Sequence, residues 1–273
     1  MRFVFLLILF IPSILWSQHS TRRSRTELGL MYGGTYYIGD LNQYGHFKDT
    51  RPAFGLLYRF NVHSRLALRG NILIGSLTGA DSTSNFDLHK NRNLHFRTHL
   101  WEAAGGLEFN YFPFEIGHAR YKGTAYLLVE MGAFNMNPQA EYNGEWHDLQ
   151  ALGTEGQGSR LTGDRRYSKT QFTMPIGLGF RVTLGDVATL NVEYGIRKTF
   201  TDYIDDVGGD MYLPYADLAQ ANGTLAANLS NRSLDQNRNG RRGNSTTSDW
   251  YAFAGAMLTF RLGPPRKCFF EPY

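Results

Sequence analysis

The sequence predicts an all-β fold: an eight-stranded antiparallel transmembrane β-barrel with long extracellular loops and short periplasmic turns. Apolar and polar residues alternate with a period of two in eight segments of the 273-residue chain, as in strands with two unlike faces. Short connections alternate with long polar ones, which is typical of outer-membrane barrels. The N-terminus has the pattern of an export signal, and no later apolar run is long enough for a membrane-spanning helix.

The N-terminal stretch MRFVFLLILFIPSILWSQ predicts a signal peptide over residues 1–17. Arg2 is followed by an apolar run that ends at Ser17, and this run is shorter than the roughly 18–20 residues that a membrane anchor needs. Cleavage is therefore favoured over anchoring. No cysteine lies near the expected cleavage site, so the protein is not expected to be a lipoprotein. Because the chain is expected to be exported, nucleic acid is not an expected partner despite the formal net charge of +4.

Each alternating segment carries apolar side chains at every second position. The apolar positions span, in chain order, residues 28–38, 54–60, 66–74, 101–111, 125–133, 172–182, 190–196 and 250–262. The last segment is the clearest, because every second residue from Trp250 to Leu262 is apolar while Gly255, Thr259 and Arg261 lie between. Eight strands is the smallest common size of an outer-membrane barrel, and the barrel is expected over residues 18–262.

The connections differ in length at the two ends of the predicted barrel. Segments two and three, and six and seven, are joined by only a few residues, and segments four and five by a modest link through Pro113 and Gly117. The other connections are long and polar, and the longest runs from Lys198 to Ser248. Short turns are periplasmic in outer-membrane barrels, so both ends of the mature chain are expected in the periplasm.

The second face of the segments decides between a membrane barrel and a soluble, lipocalin-like barrel. A soluble barrel would place the apolar set inside and a strongly charged set outside. Here the polar set is rich in glycine and threonine and contains both signs of charge, which favours a narrow lumen filled by ion pairs. The predicted lumen ion pairs involve Glu102, Glu108, Glu130, Glu193, Arg59, Arg69, Arg181, Arg197 and Arg261.

No set of residues in the sequence predicts catalysis, a cofactor or a metal centre. The eight histidines are scattered, and no nucleophile with an oriented base can be recognised. Residues 235–240, DQNRNG, match the first half of a calcium-binding loop, but Thr246 stands where the bidentate glutamate is required. Asp202, Asp205 and Asp206 are consistent with a cation site or with turn capping, and capping is the favoured interpretation.

Four stretches resemble one known family. Residues 33–42 (GGTYYIGDLN), 100–112 (LWEAAGGLEFNYF), 134–158 (FNMNPQAEYNGEWHDLQALGTEGQG) and 197–207 (RKTFTDYIDDV) occur in this order. They resemble the PorG-like outer-membrane β-barrel family of the type IX secretion system of Bacteroidota. The resemblance covers nearly all of the mature chain, except the loop after Asp210 and the tail after Leu262.

This resemblance implies a non-enzymatic role in protein secretion. Barrels of this family associate with a periplasmic ring made of a PorK/GldK-type lipoprotein and a PorN/GldN-type protein, and tie that ring to the outer membrane. The alternative hypothesis is a stand-alone outer-membrane barrel whose surface loops bind a ligand or serve adhesion. A lipid-modifying enzyme is the least favoured hypothesis, because no catalytic set is visible.

The C-terminal tail, residues 263–273, is expected to lie in the periplasm and to contact a partner, and the alternative is a tail that folds back on its own barrel. Pro264 and Pro265 end the closing strand, because proline cannot continue the hydrogen-bonded ladder. An unpaired cysteine in an exported protein suggests either an inert thiol or an intermolecular disulfide. If Cys268 forms an intermolecular disulfide, the resemblance implies that the partner is the ring lipoprotein. The predicted partner-binding residues are Arg266, Lys267, Cys268, Phe269, Phe270 and Tyr273.

Overall fold

The structure, a computed structural model, describes residues 25–43, 45–118, 120–235 and 241–263. The expected signal peptide and residues 264–273 of the tail lie outside the described residues. Within them, ten strands form one sheet, and we number them in chain order. The strands are β1 Thr26–Ile38, β2 Arg51–His63, β3 Leu66–Ala80, β4 His95–Asn110, β5 Gly123–Met136, β6 Gln139–Tyr142, β7 Glu145–Asp148, β8 Thr170–Leu184, β9 Ala188–Thr199 and β10 Trp250–Leu262.

Eight long strands close into a barrel, as the sequence predicts. Each pairs antiparallel with its neighbours in the order β3, β2, β1, β10, β9, β8, β5, β4, and the additional pairing of β3 with β4 closes the ring. The first and last strands pair from Thr26↔Leu262 to Ile38↔Trp250. Seven of the eight predicted segments fall within these strands, and the fourth, residues 101–111, extends one residue beyond the end of β4 at Asn110. The short strands β6 and β7 form a hairpin in a loop and join the sheet only through Arg97↔Gln139.

The two faces of the strands also follow the predicted alternation. In β5, Leu127, Val129 and Met131 are exposed on the outer wall, whereas Leu128 and Glu130 between them are buried inside. The same phase holds in β10, where Leu258 and Phe260 face outward and Met257 and Thr259 face inward. Aliphatic and aromatic side chains therefore cover the wall, and polar groups fill part of the interior. This is the reverse of a water-soluble barrel.

Glycine allows sharp curvature and tight turns at particular places. A Cβ atom added to Gly33 would lie 2.3 Å from the carbonyl oxygen of Ala254 on the neighbouring strand, so β1 and β10 approach closely only without a side chain there. Gly185, in the short turn between β8 and β9, has φ of +68°, a conformation that glycine adopts without steric cost.

The long connections gather at one end of the barrel and carry short helices. We call them the loop cap, defined as the described residues of 39–50, 81–94, 137–169 and 200–249. None of the helices in the described part of the chain is long and apolar enough to cross a membrane. The helical segments are a 3-10 turn Asp81–Thr83 and α1 Asp87–Arg92, α2 Leu149–Leu152, α3 Tyr215–Asn222 and α4 Thr224–Ser230.

The short connections lie at the opposite end. β2 and β3 are joined through Ser64 and Arg65 alone, and β8 and β9 through residues 185–187. Because Thr26 at the start of β1 pairs with Leu262 at the end of β10, both described ends of the barrel also lie at this short-turn end.

Candidate functional site: the charged lumen and the loop cap

A set of buried charged side chains fills the half of the lumen next to the short turns. These residues come from seven of the eight barrel strands, all at inward-facing positions, and each is at most 4% exposed. We call them the lumen cluster: Glu27, Arg59, Arg69, Glu108, Glu130, Arg181 and Glu193.

Arg59 is bound on three sides. Its Nε and Nη2 lie 3.0 and 2.8 Å from Oε2 of Glu108, and its Nη1 donates to Oε2 of Glu27 at 2.7 Å. Glu27 also accepts from the side chains of Asn61, at 2.6 Å, and Thr259, at 3.0 Å. One guanidinium therefore links strands β1, β2 and β4 through charge-assisted hydrogen bonds, which are the stronger kind.

Arg69 makes the corresponding links toward the middle of the lumen. Its Nη1 lies 2.7 Å from Oε2 of Glu193, and its Nε lies 3.0 Å from Oε1 of Glu130. The Tyr126 hydroxyl donates to Glu193 at 2.9 Å, and the Asn71 amide donates to Glu130 at 2.8 Å. Both carboxylates thus accept hydrogen bonds from neutral donors and form ion pairs with arginine.

Arg181 completes the lumen cluster with longer contacts. Its Nη1 lies 3.4 Å from Oε1 of Glu108 and 3.6 Å from Oε1 of Glu27. The guanidinium carbon lies 4.0 Å from the ring centroid of Phe114, which covers the short-turn end. Since a buried charge without a partner is costly, the interleaved arrangement matters because it gives each buried charge a neighbour of opposite sign.

The remaining predicted lumen residues lie apart from this cluster. Nε of Arg197 is 3.4 Å from Oε2 of Glu102, and that carboxylate accepts from the Tyr251 hydroxyl at 2.6 Å. The prediction for Arg261 is wrong: among the described residues, Arg261 forms no lumen ion pair. Its position near the end of β10 places its guanidinium at the short-turn rim, where it donates to the carbonyls of Ile116, at 3.1 Å, and Asp186, at 2.6 Å.

Sequence reasoning missed several members of these networks. Glu27 lies in the polar phase of the first segment but is not among the predicted ion pairs. Tyr126, Asn71 and Tyr251 occupy inward positions of their strands and act as donors. Their phase in the period-two alternation is the signal that identifies them.

Apolar residues close the lumen above the charges. Met31, Leu57, Leu73, Phe253 and Met257 pack together inside the barrel and are at most 2% exposed. A second apolar cluster, which includes Leu77, Leu100, Phe134 and Ile204, joins the upper lumen to the loop cap. Side chains therefore fill the described interior from one end to the other, and the arrangement suits a solid support rather than a water-filled channel.

Two buried arginines hold the loop cap together. Arg92 donates to the Asp81 carboxylate at 2.7 Å, to the Asp40 carbonyl at 2.8 Å and to the Arg242 carbonyl at 2.6 Å. Arg242 pairs with the Glu155 carboxylate and donates to the Asp206 carbonyl at 3.0 Å. All four long connections are thereby tied into one structure.

Tyr37 joins the barrel to the base of the cap through two carboxyl groups. Its hydroxyl oxygen lies 2.6 Å from Oδ2 of Asp205 and 2.6 Å from Oδ1 of Asp249. A phenol supplies one hydrogen, so the second short contact requires a proton on one of the carboxyl groups. Burial, together with the charge of Asp249, raises the pKa of Asp205 well above its usual value, and burial likewise raises the pKa of Asp249.

Two further aspartates in the same connection have raised pKa values. Burial and the nearby charges of Asp205 and Asp40 raise the pKa of Asp202 to about 8. Burial raises the pKa of Asp206 to about 7, although Arg242 opposes the shift.

Among the described residues, no group of three or more histidine, cysteine, aspartate or glutamate side chains could hold a metal ion. Instead, Oδ1 of Asp205 accepts from the backbone amide of Val207 at 2.9 Å, which is the turn-capping role favoured from the sequence.

Two sequence predictions fall wholly or mainly outside the described residues. In the possible calcium loop, only Asp235 is described, and its carboxylate accepts from the Asn91 amide at 3.0 Å. Residues 236–240 lie outside the described part of the chain. The predicted partner-binding residues Arg266, Lys267, Cys268, Phe269, Phe270 and Tyr273 also lie outside it.

The fold and the lumen define this protein as a closed eight-stranded barrel with an apolar wall and a filled, charged interior. The chain belongs to the family described as Domain of unknown function (DUF6089), whose profile matches residues 2–212. The matched residues include β1 to β9 and end before α3. No curated protein matches the sequence.

Three solved structures of outer-membrane type barrels are similar to this chain. Neisserial surface protein A (NspA) has a TM-score of 0.42 at 6% identity over 88% of this chain and 98% of that chain. Ail of Yersinia pestis has a TM-score of 0.42 at 8% identity, with coverages of 87% and 97%. The N-terminal β-barrel domain of Pseudomonas aeruginosa OprF has a TM-score of 0.34 at 8% identity, with coverages of 87% and 98%.

Proposed function

We propose that this protein is a non-enzymatic integral barrel of the outer membrane that anchors the periplasmic ring of a type IX secretion system. The observation that carries the proposal is the combination of an apolar outer wall with a lumen closed by ion pairs and apolar side chains. Such a barrel is suited to act as a membrane anchor. The partners in this proposal are the PorK/GldK-type lipoprotein and the PorN/GldN-type protein of the ring.

The outer wall supports placement in a lipid bilayer. Large apolar side chains point outward from all eight barrel strands, and many are half exposed or more, such as Leu30 at 61% and Leu178 at 57%. Soluble monomers rarely expose continuous apolar patches of this extent. Surrounded by hydrocarbon, the same wall needs no further covering, and the closed ring leaves no unpaired strand edge.

The closed lumen supports anchoring rather than transport. The lumen cluster occupies one half of the interior, and the apolar side chains around Leu57 and Phe253 occupy the next layer. A solute would have to break several buried ion pairs to pass. Charged groups held in this way act on stability, as expected for interleaved buried pairs.

Attachment of a ring is supported by the resemblance of four stretches to PorG-like barrels and by the position of the chain ends. β1 begins and β10 ends side by side at the short-turn end, opposite the loop cap. Residues 264–273 follow β10 in the sequence, and β10 ends on the side of the barrel that faces the periplasm in the usual orientation. Their aromatic and basic residues, with Cys268, are the proposed contact with the ring lipoprotein.

The test is co-purification of the ring with tagged barrel variants from the native host. Deletion of residues 264–273 is expected to abolish recovery of the ring lipoprotein while the barrel still folds. Cys268→Ser should remove a higher-mass band on non-reducing electrophoresis of intact outer membranes. A matched control is Leu88→Ser in the cap, which should leave ring recovery unchanged. Full ring recovery with the truncated barrel would contradict the anchoring proposal.

A second candidate function is a stand-alone barrel with ligand-binding or adhesive loops, and the organised cap favours it. Leu88, Leu234 and Met211 of the cap are 83%, 72% and 65% exposed, although the cap around them is tightly tied. Exposed apolar residues on a firm support are suited to contact with another molecule. Loss of surface adhesion in Leu88→Ser with Leu234→Ser, together with normal secretion by the truncated barrel, would favour this function.

A further inference from the structure

A groove on the outer wall lies where the apolar belt ends. On β3 and β4 the outward pair Ile74↔Trp101 is apolar and each residue is 56% exposed. The next outward pairs toward the cap are Ser76↔His99 and Thr78↔Arg97. The wall thus changes from apolar to polar within two residues, or about 7 Å along a strand.

The groove has a volume of about 610 Å³ and lies between the start of β2 and the β6–β7 hairpin. This volume falls in the range of about 300–1,000 Å³ that is usual for small-ligand sites. Its polar walls combine two arginines, two acids and a tryptophan. Those residues are Arg51, Arg97, Asp49, Glu141 and Trp146.

Arg97 is positioned with free donors. Its guanidinium carbon lies 3.6 Å from the ring centroid of Trp146, and its Nε donates to Oε1 of Gln139 at 3.2 Å. Arg51 donates through Nε to the Thr78 hydroxyl at 3.2 Å. Among the described residues, the terminal amino groups of both arginines have no hydrogen-bond partner. These are the groups that bind phosphate in a paired geometry.

The acidic residues and the tryptophan narrow the class of ligand. The charges of the two arginines are balanced by those of Asp49 and Glu141 in the lining, so the groove does not select a simple anion by its net charge. Carboxylates accept hydrogen bonds from sugar hydroxyls, whereas guanidinium groups bind phosphate, so a phosphorylated sugar satisfies both. Arg97 covers one face of the Trp146 ring, and the rest of this side chain, which is 37% exposed, is suited to pack against a sugar ring.

We propose that this groove binds the phosphorylated sugar headgroup of a glycolipid in the outer leaflet. The inference rests on the proposed placement in the outer membrane with the cap outside. In that placement the groove lies at headgroup depth, one residue pair beyond the apolar Trp101. A headgroup held there keeps its acyl chains against the apolar belt below.

The probe is diphosphoryl lipid A in phosphatidylcholine nanodiscs that contain the full-length folded barrel. Native mass spectrometry and titration are expected to show retained lipid A and saturable binding. The double variant Arg51→Gln with Arg97→Gln should weaken binding about tenfold or more, because two charge-assisted contacts are lost. Arg160→Gln with Arg165→Gln is the matched control: it removes the same charge from two exposed cap residues and should bind as wild type.

Three further measurements define the ligand. Phosphatidylglycerol, which has a phosphate without a phosphorylated sugar ring, and inorganic phosphate should both compete poorly. Trp146→Leu should weaken lipid A binding while the barrel remains folded. Equal binding by the arginine double variant and wild type, or equal retention of phosphatidylglycerol, would overturn the inference.

The failure of this inference differs from the failure of the proposed function. A barrel that fractionates with the outer membrane but ignores lipid A leaves the anchoring proposal intact. If the barrel binds lipid A in nanodiscs but is recovered in the soluble periplasmic fraction, its placement in the outer membrane is wrong. The binding of lipid A by the groove then still stands.

Discussion

Arg59 illustrates how single residues hold this barrel together. It is fully buried and contacts two glutamates, Glu27 and Glu108, from two other strands. Removing one partner of such a group leaves a charge in a medium of low polarity, which is far more costly than removing both partners. The glutamates of the lumen cluster are therefore expected to act on stability.

Glu108→Leu should destabilise the barrel by about 3–5 kcal/mol, because Arg59, Arg69 and Arg181 then lose a shared carboxylate. Urea unfolding in lipid vesicles measures the change. Glu145→Leu, at an exposed position of β7, is the control and should stay within about 0.5 kcal/mol of wild type. Equal stability of Glu108→Leu and wild type would indicate that Glu108 faces outward, with the strand register shifted by one residue.

The aspartates at the base of the cap predict a pH dependence of local stability. Asp202, with a pKa of about 8, and Asp206, with a pKa of about 7, hold protons in the folded cap that they lose when unfolded at neutral pH. The folded state thus binds more protons than the unfolded state, and stability falls as pH rises. The fall begins near the unfolded aspartate pKa of about 3.9 and continues to about pH 8.

Asp202→Asn should reduce this pH slope, because asparagine resembles the protonated acid and does not titrate. Hydrogen–deuterium exchange of the peptide over residues 200–213, corrected for intrinsic exchange at each pH, measures it. Asp164→Asn, at an exposed cap position, serves as the control and should retain the wild-type slope. Protection that increases from pH 5 to pH 8 in wild type would contradict the assignment.

At the scale of elements, the strands carry two faces in different surroundings. Leu178 of β8 is 57% exposed on the wall, and Leu88 of α1 is 83% exposed on the cap. If lipid covers the wall, an arginine is costly at the first position and nearly neutral at the second. Both side chains are more than half exposed in the structure. A difference in stability between the two substitutions therefore shows whether lipid or water surrounds each position.

Leu178→Arg is expected to cost about 2–4 kcal/mol in vesicles, the value for arginine near the midplane of a membrane barrel. Leu88→Arg should change stability by less than about 0.5 kcal/mol. Both are measured by urea unfolding in the same lipid. Similar small effects at both positions would mean that water, not lipid, surrounds the wall.

The same elements show what the sequence could and could not predict. The strands and the inward phase of Glu108 or Arg181 follow from period-two alternation, which is a local signal. The cap lacks such a signal, because α1 to α4 have only 6, 4, 8 and 7 residues. Its main contacts are distant in sequence: Arg92 and the carbonyl of Arg242 are 150 positions apart. The prediction for Arg261 was wrong because the alternation shows which face of a strand a residue occupies, but not how far along the barrel axis the residue lies.

At the scale of the whole molecule, the two ends of the barrel are unlike. One end carries the tied loop cap with its buried acids, and the other carries short turns and both described chain ends. Packed side chains fill the described lumen between the two ends and block the passage of solutes. This asymmetry is consistent with the proposed attachment of partners at the short-turn end.

Outer-membrane fractionation of native cells, followed by electrophoresis of heated and unheated samples, tests the central claim of a lipid-embedded barrel most directly. The protein should remain in the outer-membrane fraction after urea extraction and should change its mobility on heating, because the closed barrel stays folded in detergent until heated. Recovery of mature, folded protein in the soluble periplasmic fraction would contradict the claim and support a water-soluble barrel.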